Sequence, residues 1–396
     1  MTHTFDIYSE QILTYQLSGQ ELEELKANSS TPEEAAEKHL RYAKRRNAKT
    51  IILFGAGSGT LGKVLAEKKS SEQELIICDL YPEHIRMLNK GGFGEINKNE
   101  NYTLLTDSSI WALLLLLSQN GYETTDSHLI LNPELDGQSK NKHQNLQKLF
   151  SGTKQIDPPE HASPCKISAA AILSPDEPEL ADFITNFPDW IDEIVLVWDC
   201  ADLTPVPQLG KFHRAEIINV CHHLEADFSA QRNRMLENCS GDWIIYLDAD
   251  ERLSKESWDT TRLMTSFKGC NGWYLPRMTF YPDREHCRIG YGLWPDLQLR
   301  LFRNSPSLKF VNKIHEQLTG INGASGILTN CPIQHLTHLL KSRKMIESKL
   351  EKFNSSTGGN FSHQLGNEFP HLANKFVIPR NDWKLSPLLL PDINMA

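Results

Sequence analysis

The sequence lacks any closely spaced pair of cysteines. Its eight cysteines lie singly along 396 residues, and none forms a CxxC pair with another. Structural zinc sites and dithiol redox centres rely on such spacing, so the pattern argues against both. Scattered cysteines within apolar runs, such as Cys78, are typical of reduced, buried side chains. We therefore expect a protein that works in a reducing, cytoplasmic compartment.

Long hydrophobic runs and an excess of basic charge are also missing. The longest apolar run, 110–117, is far shorter than the roughly 20 residues that a membrane helix needs. The first ten residues show no secretory pattern. A net charge of -9 predicts no nucleic-acid partner, since that requires a basic face. The expectation is a protein without a transmembrane segment, whose basic stretch 341–344 could touch the inner membrane peripherally.

The first third of the chain contains a glycine-rich turn between a strand and a helix. After a helical segment over residues 1–46, the sequence predicts a Rossmann-like domain over 47–136. Its first strand ends at Phe54, and Gly55, Gly57 and Gly59 follow directly. The next strand ends in Asp79, about twenty residues on. Glycines at such a turn let the backbone approach a ligand, and the acid can bind ribose hydroxyls. The residues therefore indicate a dinucleotide or S-adenosylmethionine site.

The remaining chain predicts a second α/β domain. Residues 137–164 are polar and proline-rich and read as a linker with one short helix near 146–150. Strands and helices then alternate over 165–340, including a strand over 326–334. This alternation predicts a mainly parallel central sheet covered by helices. Residues 341–396 read as a C-terminal helix and an irregular tail.

The most informative motif is a buried strand that stops at acidic residues. The apolar stretch 243–247 leads into Asp248-Ala249-Asp250. Ligands of open α/β sheets bind beyond the carboxyl ends of the strands, where paired carboxylates can hold Mg²⁺ or Mn²⁺ against a diphosphate. Taken alone, the motif is more often a solvated loop after a strand, so its surroundings decide the interpretation.

Those surroundings resemble family 2 glycosyltransferases of the GT-A fold, in particular bacterial enzymes that modify proteins and the lipopolysaccharide core. The resemblance covers 165–340 and rests on four ordered blocks, which are 191–199, 227–253, 294–304 and 314–316. It implies a GT-A (nucleotide-diphospho-sugar transferase) domain. Residues 174–177 and 200–202 depart from the family pattern beside the expected nucleotide pocket. Residues 45–135 weakly resemble the N-terminal domain of motility-associated factor proteins, linked to flagellin glycosylation. That likeness implies a scaffold or acceptor-docking role rather than cofactor binding.

The resemblance implies roles on the donor side of the site. Asp199 would read the nucleobase, and Arg232 would reach the nucleotide or its diphosphate. Asp248 would contact the ribose or share the metal. Asp250 would be the direct ligand of Mn²⁺ or Mg²⁺, and a late histidine, His335, would complete the metal site.

On the acceptor side, the resemblance makes Asp296 the general base that accepts the acceptor's proton. Trp294 would stack on a sugar, although a core position is the more common one for tryptophan. His315 and Glu316 would line the site.

Three functions fit the sequence. The first is a metal-dependent inverting glycosyltransferase that moves a sugar from a UDP- or dTDP-linked donor to a glycan or protein hydroxyl, with flagellin or the lipopolysaccharide core as candidate acceptors. The second adds an S-adenosylmethionine- or NAD-dependent activity in the N-terminal domain. The third is a non-catalytic binding protein on a degenerate GT-A fold, which the altered segments 174–177 and 200–202 bring into consideration.

Overall fold

A computed structural model describes residues 4–15, 31–90, 102–209, 213–313, 315–341, 344, 369–377 and 387–391. The chain forms two compact units. Unit 1 comprises Met1–Thr153, Arg288–Pro295 and Phe369–Trp383, and unit 2 comprises Lys154–Cys287, Asp296–Glu368 and Lys384–Ala396. Within the described ranges, no helix is both long and apolar enough to span a membrane.

Unit 1 is built on a parallel sheet. Its strands are β1 (Thr50–Phe54), β2 (Glu74–Asp79), β3 (Thr103–Thr106) and β4 (Ser127–Leu131), in the order β3-β2-β1-β4. Its helices are α1 (Thr4–Thr14), α2 (Pro32–Arg45), α3 (Thr60–Lys68), α4 (Pro82–Lys90), α5 (Ile110–Gln119) and α6 (Gly137–Gly152). A short strand, β18 (His371–Ala373), and a 3₁₀ turn over Asn374–Phe376 come from the late segment of the unit. Every residue of β1 is buried, and the four that follow Thr50 are apolar, as expected for a strand covered on both faces.

The predicted linker needs correction. Its first half is the sixteen-residue helix α6, which belongs to unit 1 and buries Leu146, Leu149 and Phe150. The apolar residues of this helix recur at three- and four-residue spacing among polar ones, so composition alone hid an amphipathic helix. The predicted N-terminal helical segment contains α1 and α2, and α2 starts at Pro32. Residues 1–3 and 16–30 of that prediction lie outside the described residues.

Unit 2 contains most of the remaining elements. Its principal strands are β6 (Ile167–Leu173), β7 (Glu193–Trp198), β8 (Glu216–Cys221), β9 (Trp243–Tyr246), β11 (Gly272–Thr279) and β13 (Leu297–Arg303). Shorter strands are β5 (Lys154–Gln155), β10 (Glu251–Arg252), β14 (Lys309–Val311), β15 (Gln317–Thr319), β16 (Ser325–Ile327), β17 (Ile333–His335) and β19 (Leu388–Leu389). Its helices are α7 (Leu180–Thr185), α8 (Phe228–Asn238), α9 (Lys255–Met264) and α10 (Thr337–Leu340). Strand β12 (His286–Arg288) crosses the sequence boundary between the units.

The large sheet of unit 2 is mixed. Its strand order is β5-β19-β16-β11-β13-β9-β6-β7-β8, with β17 joining β10 to β11. Strands β9, β6, β7 and β8 run parallel, whereas β13 is antiparallel to both β9 and β11. The parallel half agrees with the prediction. The strand predicted over 326–334 is instead the pair β16 and β17, separated by a turn that includes Thr329 and Asn330.

Candidate active site

The acidic motif lies at the carboxyl edge of the parallel strands. Strand β9 is central in the sheet and pairs with β6, and the backbone amide of Leu247 still donates to the Ala170 carbonyl of β6. The chain then leaves the sheet, so Asp248 and Asp250 emerge where open α/β sheets bind ligands. The sequence prediction of where these two carboxylates lie is therefore correct.

Two arginines hold the Asp248 carboxylate. Arg232 of α8 donates to one oxygen through Nη2 at 3.0 Å, and Arg300 of β13 donates to the other at 2.7 Å. Both guanidinium groups also lie over the Tyr246 ring, at 4.8 and 4.4 Å from its centroid. Burial opposes ionisation of Asp248, but Arg300 and Arg232 outweigh it and keep the pKa of this carboxyl below its usual range.

The same arginines extend the network to further acids. Arg232 donates through Nε to Glu316 at 2.6 Å, and Arg300 donates to Glu251 at 2.7 Å. Glu251 is completely buried. Burial lowers the pKa of Arg300, but its two acidic partners outweigh this and raise the pKa well above its usual value. Asp248 and Arg300 are therefore charged at neutral pH, and the ion pairs hold the side chains of the network in place.

Asp296 forms the third part of this network. Arg277 of β11 donates to its Oδ2 through Nε at 2.8 Å, and Gln298 donates to its Oδ1 at 2.8 Å. Arg277 also lies 3.4 Å from Glu251, which links Asp296 to the carboxylates around β9. Asp296 adopts a left-handed backbone with φ of 38°, a conformation that non-glycine residues reach only when their surroundings impose it.

Asp250 has a separate set of partners. Its Oδ1 lies 3.6 Å from Nε2 of His335, and its Oδ2 accepts a hydrogen bond from Nζ of Lys341 at 3.0 Å. The Nδ1 atom of His335 lies 2.9 Å from the Thr279 hydroxyl, which orients the ring toward Asp250. Burial opposes ionisation of Asp250, but His335 and then Lys341 hold its pKa well below the usual value. The structure thus brings Asp250 and His335 together, as predicted.

The predicted three-residue metal set needs one correction. Across the part of the chain that the structure describes, no three His, Cys, Asp or Glu side chains form a group that could hold a metal ion. Asp248 is not a member of such a group because its two oxygens bind arginines. Asp250 and His335 remain as a carboxylate and an imidazole at one point. This pair still fits Mg²⁺ or Mn²⁺ chemically, since these ions often bind through one or two protein ligands plus substrate phosphates and water.

Trp294 does not fit its predicted role of stacking on a sugar. It belongs to unit 1, is 1% exposed, and its ring packs against Tyr8 at 6.1 Å between centroids. An apolar ring this deeply enclosed stabilises the core of its unit rather than offering a face to a ligand.

The other three predicted site residues, Asp199, His315 and Glu316, lie in different surroundings. Asp199 follows β7, is exposed, and accepts a hydrogen bond from the backbone amide of Leu224 at 2.9 Å. His315 is also exposed and has a left-handed backbone, and Ile314 of the same sequence block lies outside the described residues. Glu316 reaches the centre of the site through its bond to Arg232.

Carboxylates of the protein occupy the N-terminal glycine turn. The amide of Ala56 donates to Asp79 at 2.8 Å, and the amide of Ser58 donates to Glu134 at 2.5 Å. Asp79 is 1% exposed and also accepts from the Tyr81 amide. The expectation that Asp79 binds ribose hydroxyls therefore needs correction, because its oxygens organise the turn itself.

The glycines of this turn have a structural reason. Gly55, Gly57 and Gly59 all have positive φ values, and a side chain at Gly57 would collide with Glu134 and Asn132. The turn is thus shaped to receive an internal carboxylate.

Four charged residues of the site were not predicted from the sequence, namely Glu177, Arg277, Arg300 and Lys341. Arg300 gave a usable signal, because it stands among apolar neighbours in β13 and a charged residue inside a buried strand needs a partner. Arg277 lies at a half-buried position of β11, where a charged residue is a weaker signal of a functional site. Lys341 and Glu177 gave none, because they lie 164 positions apart and meet only through the fold.

Comparison with known proteins defines the class to which this site belongs. Residues 177–269 match the family model of glycosyl transferase family 2, and this match contains β7, α8, β9 and both motif carboxylates. The protein therefore carries a glycosyl transferase family 2 segment, as the sequence predicted.

Individual relatives are more distant. A TPR repeat-containing protein of Synechococcus elongatus is 28% identical over 155 residues, which cover 39% of this chain and 36% of that protein. The chain thus spans about a third of the length of this curated relative.

Solved structures give partial likenesses. TarS of S. aureus is 17% identical over 35% of this chain and 28% of that one, with a TM-score of 0.27. Its residues 1–349 in complex with UDP-GlcNAc are 21% identical over 30% and 36% of the two chains, with a TM-score of 0.25. The mannosyltransferase PcManGT from Pyrobaculum calidifontis, in complex with GDP-Man and Mn²⁺, is 15% identical over 31% and 38%, with a TM-score of 0.27. These likenesses are too partial to assign a ligand.

Proposed function

We propose that the protein is a metal-dependent inverting glycosyltransferase that uses a UDP- or dTDP-linked sugar. One observation carries the proposal. Asp250 of the family 2 segment faces His335 at the carboxyl edge of the sheet, beside a network of arginines and carboxylates. This combination suits a nucleoside diphosphate, whose charge a divalent cation would neutralise as the sugar leaves.

The charge balance supports a cation in this site. Six carboxylates meet four lysine and arginine side chains there, so negative charges exceed positive ones by two when His335 is neutral, as a metal ligand must be. The acids are Glu177, Asp248, Asp250, Glu251, Asp296 and Glu316, and the bases are Arg232, Arg277, Arg300 and Lys341. A diphosphate would meet repulsion in such surroundings, and one divalent ion compensates the excess.

Neighbouring residues could bind the nucleobase and the diphosphate of the sugar donor. Asp199 is exposed at the end of β7, where a carboxylate can accept from a nucleobase N–H, and its bond to the Leu224 amide fixes its direction. Arg232 commits Nε to Glu316 and Nη2 to Asp248, while its buried Nη1 has no hydrogen-bond partner. We assign this Nη1 atom to binding of the sugar donor. A buried N–H group without a hydrogen-bond partner costs free energy, and an oxygen of the bound nucleotide would remove that cost.

Asp296 is the residue that we assign as general base. Inversion at the anomeric carbon needs one carboxylate to accept the acceptor's proton. Arg277 donates to Oδ2 through both Nε and Nη2, whereas Oδ1 accepts from Gln298 and keeps a second lone pair for the acceptor hydroxyl. The acceptor that we propose is a hydroxyl of a glycan or protein, with flagellin and the lipopolysaccharide core as the first candidates to test.

For unit 1 we propose a Rossmann-like scaffold that docks the acceptor, rather than a site for NAD or S-adenosylmethionine. The carboxylate of Glu134 already binds the turn where a pyrophosphate would lie, and like charges would repel. The free thiols of all eight cysteines support action in a reducing compartment such as the cytoplasm.

Donor binding tests the proposal directly. Thermal shift and calorimetry with UDP, dTDP, GDP and ADP, each with Mn²⁺ or with EDTA, should show stabilisation by UDP or dTDP that requires the metal. Asp250→Asn should reduce this stabilisation and sugar transfer by at least tenfold. Asp259→Asn is the matched control, because Asp259 is exposed on α9. An Asp250→Asn protein with wild-type metal-dependent binding would refute the assignment, and S-adenosylmethionine or NAD in the same panel tests the two-activity alternative.

A further inference from the structure

Lys341 is buried at the proposed metal site. It directly follows α10, and only 8% of its side chain is exposed. Its ammonium group lies 3.0 Å from Oδ2 of Asp250 and 3.2 Å from Oε2 of Glu177. Lysine is seldom buried this deeply unless it is paired, so these two carboxylates explain its position.

The location of this ammonium group conflicts with a metal ion on the same oxygen. Mg²⁺ binds a carboxylate oxygen at about 2.0–2.1 Å, inside the 3.0 Å at which Lys341 contacts Oδ2 of Asp250. Two cations that close together repel strongly in a partly buried site, where the effective dielectric is low. His335 faces Oδ1, the other carboxylate oxygen of Asp250. A cation that binds Oδ2 must therefore compete with Lys341.

We propose that Lys341 occupies the cation subsite on Asp250 and competes with the divalent ion for this carboxylate. This inference rests on the proposed function. Binding of the ion displaces the ammonium group from Asp250, while Glu177 provides a second carboxylate that keeps the lysine nearby. Lys341 thereby weakens metal binding in the absence of donor and keeps Asp250 paired until the donor and ion arrive.

Glu177 gives this exchange a structural basis. It lies beyond β6 in segment 174–177, which departs from the family pattern, and its side chain is 22% exposed. A lysine held between two carboxylates can lose one partner without becoming an isolated buried charge. Breaking the ion pair between Lys341 and Asp250 therefore costs less free energy than breaking a single buried ion pair, which is strongly destabilising.

Direct titration with Mn²⁺ tests the competition. Free Mn²⁺ is measured by electron paramagnetic resonance for the wild-type chain and three variants, with and without UDP. Lys341→Gln removes the charge and should lower the dissociation constant for Mn²⁺ about tenfold, equivalent to about 1.4 kcal/mol. Lys341→Arg keeps the charge and should bind Mn²⁺ like the wild type. Lys344→Gln makes the same charge change at an exposed position and is the matched control.

The outcomes separate this inference from the function on which it rests. Tighter Mn²⁺ binding confined to Lys341→Gln supports competition. Equal or weaker binding by a folded Lys341→Gln protein, or equal tightening by Lys344→Gln, overturns it. UDP binding that persists in EDTA while no variant binds Mn²⁺ also overturns the inference and leaves the transferase assignment standing. Mn²⁺ binding with the expected tightening but no response to any nucleotide supports the inference and refutes the proposed donor.

Discussion

Replacing Arg300 with methionine tests whether the buried charge network stabilises unit 2. Arg300 is 2% exposed and pairs with both Asp248 and Glu251 at 2.7 Å. Without the guanidinium group, the fully buried Glu251 keeps a basic partner only in Arg277, at 3.4 Å. Removing one partner of a buried ion pair commonly costs about 3–5 kcal/mol, because the other charge stays buried without compensation. We expect a loss near the lower end, since Arg277 remains.

Urea denaturation followed by tryptophan fluorescence measures this loss, with Arg303→Met as the matched control. Arg303 lies on the same strand, but it is exposed; it donates to the Asn271 side chain, and its guanidinium group lies 5.0 Å from the centroid of the Trp243 ring. Its replacement should cost less than about 1 kcal/mol, as for most exposed positions. The double variant Arg300→Met, Glu251→Gln should recover part of the stability, because it removes the uncompensated charge together with its partner.

The result that would refute this reasoning is a loss below about 1 kcal/mol for Arg300→Met, or no recovery in the double variant. Either result would mean that water or a rearranged side chain solvates Glu251, and that the arginines do not determine the geometry of the site.

Two further predictions concern unit 1. Burial raises the pKa of Asp107 to about 6 despite the hydrogen bond from Tyr8, so the native state retains this proton more strongly than the unfolded chain. The unfolding free energy of unit 1 should therefore fall by about 3 kcal/mol as pH rises from about 4 to about 6 and then level off, and Asp107→Asn should abolish this step in pH-dependent denaturation. Glu134→Ala removes the acceptor for the Ser58 amide and should cost about 2 kcal/mol in the same assay, whereas an unchanged midpoint would show that the turn forms without it.

The sequence allowed prediction of the elements whose signals are local. Strand β1, the glycine turn and the helix after it appear where the hydrophobic pattern and the glycines predicted them. Only the part of helix α6 near 146–150 was predicted, because lysine, asparagine and glutamine dilute its apolar residues and the composition suggested a linker. The same local reasoning placed Asp248 and Asp250 at the sheet edge, since a buried strand that ends in acids has few other places to end.

The partners of these acids could not be predicted in the same way. Asp248 bonds Arg232 and Arg300, which lie 16 and 52 positions away, and Lys341 lies 91 positions from Asp250. No periodicity encodes contacts across such separations. The resemblance to family 2 enzymes placed Arg232 in the site but could not show that its Nε and Nη2 atoms bind internal carboxylates.

These internal bonds determine how the site can bind a donor. Each of the three arginines pairs with two carboxylates of the protein, so these carboxylates compensate the positive charge that would otherwise attract phosphate. Their main effect is to hold carboxylates in place at the sheet edge and to keep Asp248 charged, as its lowered pKa indicates. A sheet edge with this excess of negative charge attracts cations more strongly than anions. If the proposed function is correct, a divalent ion must therefore bind before or together with the nucleoside diphosphate, and UDP affinity should rise with Mn²⁺ concentration until the Asp250 site is saturated.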